Sequence, residues 1–309
     1  MTASGRSFRS FGTVHGPYMA LSPSDRCSFL SDADRCGFCG VGQSGSSGPV
    51  PVEDIVEVVR VARSEHQLDM VVLSVGHLGT EDGGVTFLEP YLSAIKKHFD
   101  ILVGVDALPP TEDVWIDHTY GMGADAVSYN LELFDPDRFE VVCPGVHRTI
   151  GRERFLSALE YAASVFPSGA TSCHLMVGLE PVEATRAGID TLTSMGVLPV
   201  LPVYRPFKGR DLRFDESVRA QAPRLEELGA LYAHLYRAVR GRGINVNVVR
   251  DVALATTPLD ARFFAAEESS FASWVHRLKG TSGARRLSAL MSDLRRALRV
   301  QPIEGAEPS

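Results

Sequence analysis

The sequence lacks an apolar run of the roughly 18 residues that a bilayer-spanning helix needs, so we expect no membrane segment. Its first twenty residues contain Arg6 and Arg9 but no continuous apolar stretch, which argues against a secretory signal. A basic surplus is also missing, because 31 Lys and Arg residues stand against 38 Asp and Glu residues, a net charge of −7. We therefore expect neither nucleic acid nor a membrane as a partner.

The sequence has few cysteines, and their number is odd. A chain of 309 residues can bury a core without disulfide staples. An odd set of thiols in a chain with no recognisable signal indicates a reducing compartment, so we expect a cytoplasmic protein. The five cysteines therefore need another role, and they are Cys27, Cys36, Cys39, Cys143 and Cys173.

Apolar segments of strand length alternate with segments of helical periodicity along most of the chain. Unbroken apolar strands separated by helices indicate an α/β fold, a parallel sheet covered by helices. About six such units are present, which predicts a partial (β/α)6 TIM-like barrel with a C-terminal helical extension; a doubly wound sheet is the alternative. The predicted strands are 14–21, 70–73, 101–105, 126–131, 171–177 and 197–203, and the predicted helices are 52–63, 87–98, 112–120, 154–166, 181–195 and 217–240.

Composition divides the chain into four segments. Residues 1–12 are rich in Ser, Arg and Gly and are expected to form a flexible tail. Residues 13–243 hold the predicted barrel, and 244–300 contain one possible strand and one or two helices that close it. Residues 301–309 are rich in Pro and Glu, which predicts a disordered tail.

Three cysteines lie together between the first predicted strand and the first helix. Eight residues separate Cys27 from Cys36, and two separate Cys36 from Cys39. Thiolates select zinc or iron–sulfur clusters, and three of them can hold three corners of a tetrahedral or cubane site. A structural zinc needs a fourth ligand, for which His15 and His77 are the nearest candidates, and a redox pair would not need Cys27. We prefer an iron–sulfur cluster with one open iron, and keep zinc and redox thiols as alternatives.

Cys36-Gly37-Phe38-Cys39 resembles the C-x-aromatic-C end of the radical S-adenosylmethionine (SAM) motif. That motif usually has three residues between its first two cysteines, so the eight residues of 28–35 form an enlarged loop. Tyr129 to Glu132 is similar to the Asn-Leu-Glu/Asp stretch of the biotin synthase and lipoyl synthase branch. His174 to Glu180 and Met195 to Gly209 resemble its fifth- and sixth-strand segments. The resemblance spans about residues 20–212.

The resemblance implies an enzyme that binds a [4Fe–4S] cluster through Cys27, Cys36 and Cys39 and places SAM on the fourth iron. One electron from a donor such as flavodoxin or ferredoxin would cleave SAM reductively. The resulting 5′-deoxyadenosyl radical would abstract hydrogen from a small-molecule substrate.

The same resemblance implies roles for residues at the ends of the predicted strands, where α/β folds place their chemistry. Asn130 and Glu132 are expected at the SAM ribose, Ser74 or Glu81 at its amino group, and Arg154 at its carboxylate. Further SAM contacts are expected from Phe38, Gly178 and Glu180. Asp106, His174 and Tyr204 are the candidate catalytic residues on the substrate side.

Two other functions compete with this interpretation. One is a zinc-stabilised α/β protein that binds a metabolite or partner without catalysis. The other is a barrel hydrolase that uses Asp and His side chains and does not depend on Cys36.

Overall fold

The computed structural model of the chain describes residues 1–42, 48–205, 223–246 and 260–265, together with Leu294 and Arg296. The first part of the helix predicted at 217–240, most of the predicted closing segment at 244–300, and the tail at 301–309 lie outside the described residues. The statements that follow concern the described part of the chain.

The fold is built on one sheet of seven strands in the order β1-β2-β3-β4-β5-β6-β7. Strand β1 pairs with β2 antiparallel, and every later pair is parallel. Six parallel strands confirm the predicted partial barrel, an unclosed sheet with helices against it. The strands are β1 Gly12–His15, β2 Tyr18–Leu21, β3 Met70–Ser74, β4 Leu102–Ala107, β5 Ala126–Tyr129, β6 Thr171–His174 and β7 Leu198–Val200.

The helices follow the strands in the alternation that the sequence predicts. Each long one buries an apolar stripe, as α2 does with Leu88, Leu92 and Ile95, all with no exposed surface. The helices are α1 Val52–Glu65, α2 Val85–His98, α3 Val114–Gly121, α4 Pro136–Val142, α5 Pro144–Thr149, α6 Arg152–Val165, α7 Val182–Ser194 and α8 Leu225–Gly241. None of those described has both the length and the hydropathy for a bilayer crossing.

The first predicted strand, 14–21, is wrong as a single element. Gly16, at φ 57°, and Pro17 turn the chain between β1 and β2, which form an antiparallel hairpin. Pro cannot donate to a ladder and Gly adopts positive φ freely, so this pair breaks the strand. The sheet therefore gains an antiparallel edge strand in front of its six parallel ones.

Helices α4 and α5 are absent from the sequence-based prediction. The Asp135 side chain accepts a hydrogen bond from the Arg138 amide at 2.9 Å and caps α4, while Pro136 and Pro144 begin the two helices. With 7 and 6 residues they are too short to show helical periodicity. Their junction holds Cys143.

Candidate active site

The cysteine loop docks on the carboxyl end of β3. The Ser28 amide donates to the His77 carbonyl at 2.7 Å, its hydroxyl lies 2.6 Å from His77 Nδ1, and the Phe29 and His77 rings stack with centroids 4.8 Å apart. A Cβ at Gly76 would lie only 2.8 Å from Cys27 Cβ and from the Arg26 carbonyl oxygen. Glycine at position 76 thus makes room for Cys27, two residues beyond the end of β3.

The other side of the loop is fixed to helices α4 and α5. The Gly37 amide donates to the Val142 carbonyl at 2.9 Å, and the Gly145 amide donates to the Asp34 carbonyl at 3.1 Å. Arg148 forms an ion pair with the Asp34 carboxylate. The enlarged stretch at 28–35 is therefore a packed part of the fold.

The three loop thiols are partly buried and lie within electrostatic range of one another. Burial raises the pKa of Cys27 and Cys39, whereas a hydrogen bond with Cys143 lowers the pKa of Cys36. The positive charge of Arg35 favours the thiolate form of all three. Since metal ligation requires thiolates, Arg35 prepares the loop for it.

The donors of this region are soft. Within the described ranges, no three His, Cys, Asp or Glu side chains converge as ligands of one metal ion. In a cubane cluster each thiolate binds a different iron, so the sulfurs of such a site do not meet at one point. His15, a candidate fourth zinc ligand, lies at the amino end of β2, paired with Tyr18, at the opposite end of the sheet from the loop.

A row of polar side chains crosses the sheet beside the loop. Parallel register pairs Ser74 of β3 with Asp106 of β4, and Asp106 with Ser128 of β5. The Ser74 hydroxyl donates to Asp106 Oδ2 at 3.1 Å, and Asn130 Nδ2 donates to Asp106 Oδ1 at 2.9 Å. Asn130 Oδ1 accepts from the Ser128 hydroxyl at 2.6 Å and from the His174 amide at 3.0 Å. The network gathers four predicted site residues: Ser74, Asp106, Asn130 and His174.

Two acidic side chains in this region are half-buried. Burial raises the pKa of Asp106 to about 6, although the Ser74 hydroxyl opposes that shift. Burial raises the pKa of Glu132 well above its ordinary value, and the charges of Asp106 and Cys36 add to it. Glu132 Oε2 is buried without a hydrogen-bond partner among the described residues. This carboxyl group is thus positioned for a ligand that donates hydrogen bonds.

The backbone at Glu132 has an unusual conformation, with φ 68°, and it is the one non-glycine residue with positive φ in the described part. Its amide donates to the His174 carbonyl at 2.9 Å, and its carbonyl accepts from the Met176 amide at 2.6 Å. Two hydrogen bonds, one to the last residue of β6 and one to the segment that follows it, therefore fix the direction of this residue.

His174 ends β6, and two further predicted residues, Gly178 and Tyr204, follow β6 and β7. Burial lowers the pKa of His174 to about 4, so its imidazole is neutral near pH 7. The Tyr204 amide donates to the Val177 carbonyl at 2.9 Å, and Gly178 lies beside Tyr204 with φ 103°, a conformation that glycine tolerates. Phe38, between two loop cysteines, is partly buried and packs against the hydrophobic core.

Three other predicted SAM contacts have different surroundings. Glu81 is exposed, and its carbonyl binds the Thr111 amide at 2.8 Å. The Arg154 guanidinium donates to the Pro110 carbonyl at 2.6 Å and to Asp113 at 2.8 Å. Glu180 accepts from the amides of Phe134 and Asp135 at 2.7 and 2.8 Å and from the Thr185 hydroxyl. None of these contacts joins the Asp106 network, and their roles toward SAM stay predictions.

Sequence reasoning missed the position of Cys143. This residue is 2% exposed, and its segment lies beside Cys36, since the Val142 carbonyl accepts from the Gly37 amide although more than a hundred residues separate the two segments. Linear spacing carries no signal for such a contact, since it depends on the turn between α4 and α5. The interpretation of Cys173 as a small buried strand residue is confirmed, because it has no exposed surface in β6.

Comparison with known proteins identifies a family and several structural relatives. The family model described as the Radical SAM superfamily matches residues 21–189. The bacteriochlorophyllide c C-7(1)-hydroxylase of Chlorobaculum limnaeum is 29% identical over 114 residues, which cover 37% of this chain and 28% of that protein. The chain thus spans less than a third of this curated relative.

Two solved structures share the fold. SuiB of Streptococcus suis bound to S-adenosylmethionine has a TM-score of 0.54 at 14% identity, over 75% of this chain and 49% of that one. HydG, a maturase of the [FeFe]-hydrogenase, has a TM-score of 0.57 at 15% identity, over 72% of this chain and 49% of that one. The chain therefore spans about half the length of these relatives, and the likeness shows the fold alone.

Gly76→Ala tests the packing of the cysteine loop. The added Cβ would clash with Cys27 Cβ and the Arg26 carbonyl, so we expect a severalfold loss of iron bound per chain after anaerobic reconstitution. Gly40→Ala in the same loop is the control, because a Cβ there meets nothing within 4 Å. Equal iron content in the two variants would show that the close packing of Cys27 against Gly76 does not control iron binding.

Asp106→Asn tests the protonation of the buried carboxyl. Because the folded pKa of about 6 is above the ordinary 3.8, wild-type stability should be full below pH 3.8 and decrease as pH rises through 6. At about 1.4 kcal/mol per pKa unit, the interval from pH 4.5 to about 6 corresponds to a loss of about 2 kcal/mol that the variant should avoid. Urea unfolding at pH 4.5 and 7.5 measures this difference; parallel pH profiles for the two proteins would show that Asp106 is not proton-linked.

Proposed function

The chain belongs to the Radical SAM superfamily, and on that premise we propose that it cleaves SAM reductively at a [4Fe–4S] cluster held by Cys27, Cys36 and Cys39. The bound cluster and SAM supply a 5′-deoxyadenosyl radical, which takes hydrogen from a small-molecule substrate. The observation that carries the proposal is the docking of a three-thiol loop at the carboxyl edge of the parallel sheet, beside a buried acid without a partner.

The residues present fit these groups. The thiols of the loop are the soft donors that an iron–sulfur cluster requires, and the charge of Arg35 favours their ionised form. Because Gly76 has no side chain, Cys27 can pack against the backbone just beyond the end of β3. A zinc site remains the alternative from the sequence, and membership of the Radical SAM superfamily favours the cluster.

Asn130 and Glu132 are proposed to hold the SAM ribose. The Glu132 carboxyl oxygen without a partner can accept hydrogen bonds from sugar hydroxyls. Asn130 is fixed by Asp106, Ser128 and the His174 amide, so it presents a defined edge to a ligand. Because Asn130 Oδ1 already accepts two hydrogen bonds, Asn130 would donate to the ribose through Nδ2 while Glu132 accepts, and a fixed pair of this kind loses little side-chain entropy when a ligand binds.

Asp106, His174 and Tyr204 are proposed to face the substrate. A neutral imidazole at position 174 can both donate and accept hydrogen bonds, while Asp106, with a pKa of about 6, can hold or release a proton near neutral pH. Ser74 keeps a hydrogen bond to Asp106. These groups orient a polar substrate, and the surrounding barrel excludes water from the radical.

The substrate is proposed to react at a carbon–hydrogen bond. The Chlorobaculum relative is named for hydroxylation at one carbon, which replaces such a bond, and its similarity covers 37% of this chain. For this chain we propose only the same type of reaction, at a carbon–hydrogen bond of its substrate. The electron donor is proposed to be a reduced flavodoxin or ferredoxin in a reducing compartment such as the cytoplasm.

Anaerobic reconstitution tests the class of enzyme. Wild-type protein should bind four iron and four sulfide per chain and release 5′-deoxyadenosine when SAM and dithionite are added. Cys36→Ala should abolish that release, whereas Cys173→Ala should retain the cluster, because Cys173 bonds only to the nearby backbone. Bound zinc without sulfide, or unchanged activity of Cys36→Ala, would contradict the proposal.

Glu132→Gln tests the ribose contact. Gln replaces one carboxyl oxygen by an NH2 group that cannot accept, and loss of an ordinary hydrogen bond is worth about 0.5–1.5 kcal/mol, so SAM affinity should decrease about twofold to tenfold. Equilibrium dialysis of reconstituted protein measures this, with the exposed Glu140→Gln on α4 as the matched control. Equal affinities for the two variants would remove Glu132 from the SAM site.

A further inference from the structure

His77 is a candidate from the sequence that the proposed ligand set does not use. It follows β3, is half-buried, and contacts the two residues that come directly after Cys27. The Ser28 amide donates to the His77 carbonyl at 2.7 Å, and the Ser28 hydroxyl lies 2.6 Å from His77 Nδ1. The Phe29 ring stacks on the imidazole, with 20° between the planes and 4.8 Å between the centroids. His77 thus contacts the start of the cysteine loop through an edge and a face of its ring.

The Gly79 amide determines which nitrogen of His77 carries the proton. It donates to Nδ1 at 3.3 Å, and since a backbone N–H can only donate, Nδ1 is an acceptor. The ring is therefore neutral with its hydrogen on Nε2, and the Ser28 hydroxyl is the donor in the other contact to Nδ1. Two protein groups engage this nitrogen, which argues against it as the fourth zinc ligand considered from the sequence.

Phe29 extends the contact of His77 to the helical layer. Its side chain is 7% exposed, and a Cβ at Gly145 of α5 would lie 2.8 Å from its Cδ1. The ring therefore contacts both the imidazole and the backbone of α5. A shift of the chain at this point would have to break the packing on α5 as well as the stacking on His77.

We propose that His77 is a positioning residue for Cys27. It accepts the hydrogen bond of the Ser28 hydroxyl, stacks on Phe29, and so holds the cysteine in the orientation in which it binds iron. The inference rests on the proposed function, because it needs Cys27 to be a cluster ligand.

The length of the loop is the reason that its start needs such a contact. Eight residues separate Cys27 from Cys36, and a longer loop loses more conformational entropy when its ends are fixed. The far end of this stretch is held by Asp34, whose carbonyl and carboxylate both bind to α5. The near end has the hydrogen bonds and the ring contact of His77. Side chains that orient metal ligands in this way typically change metal affinity about tenfold to a hundredfold when they are lost.

Cysteine alkylation of the iron-free full-length chain tests the contact directly. His77→Phe keeps a ring for stacking but has no acceptor, so we expect iodoacetamide to modify Cys27 severalfold faster than in wild type, with a smaller change at Cys39. Peptide mass spectrometry measures each rate. His77→Asn offers an amide oxygen as acceptor and should recover most of the wild-type protection. His98→Phe, at an exposed position on α2, is the matched control and should react like wild type.

Ser28→Ala completes a double-mutant cycle. Because Ser28 and His77 share one hydrogen bond, the double variant Ser28→Ala/His77→Phe should raise the Cys27 rate no further than either single change, which corresponds to a coupling of about twofold to tenfold. Cys173 has no exposed surface, so its modification reports global unfolding. If Cys173 reacts in His77→Phe, Ser28→Ala decides the test alone, because that change removes one hydroxyl from an exposed residue.

Iron retention connects the contact to the cluster. After anaerobic reconstitution, an iron chelator should remove iron from His77→Phe about tenfold faster than from wild type or His98→Phe. Faster alkylation of Cys27 with unchanged iron loss would overturn the role of His77 toward the cluster.

Other results would also overturn the inference. Equal Cys27 rates in His77→Phe and wild type would show that His77 does not hold the loop. Additive effects in the cycle, or equal rates for the Phe and Asn variants, would show that packing and not the hydrogen bond protects Cys27. A wild-type chain that binds no cluster would instead contradict the proposed function, and the alkylation rates, which need no iron, would still decide whether His77 holds the loop.

Discussion

Parallel pairing of β2 to β7 is the constraint on which the candidate site depends. Because these strands run in the same direction, their carboxyl ends meet at one edge of the sheet, and residues far apart in sequence become neighbours there. Ser74 and Asp106 are direct register partners, which turns two separate strand ends into one hydrogen-bonded pair. The loop of Cys27 closes over the same edge through its contact with Gly76.

The acids of this edge divide into two functional groups by their hydrogen bonds. Glu180 is satisfied by two backbone amides and a hydroxyl, so it stabilises the turn before α4. Asp106 and Glu132 are half-buried and accept from fewer donors, and burial raises the pKa of both. Burial raises the pKa of Glu180 as well, so the three acids differ in their hydrogen-bond donors and not in the direction of their pKa shifts.

Much of the architecture is readable from the sequence, because strand and helix periodicities are strong signals. The three-thiol loop is readable too, since Cys27, Cys36 and Cys39 are close along the chain. Contacts made by tertiary packing are not readable in this way: neither the approach of Cys143 to Cys36 nor the hydrogen bonds that hold Glu180 has a local signature. The hairpin of β1 and β2 was missed for another reason, because the Gly16-Pro17 turn interrupts a run that is apolar on both sides.

The left-handed backbone at Glu132 carries a conformational cost at a residue proposed to bind SAM. A side chain with a Cβ at φ 68° costs about 1–2 kcal/mol relative to relaxed backbone, a penalty that glycine would remove. Thermal robustness alone would therefore favour glycine at this position. On the proposed function, that exchange would remove the carboxyl group together with the strain, so stabilising the protein by consensus or directed evolution should avoid this position.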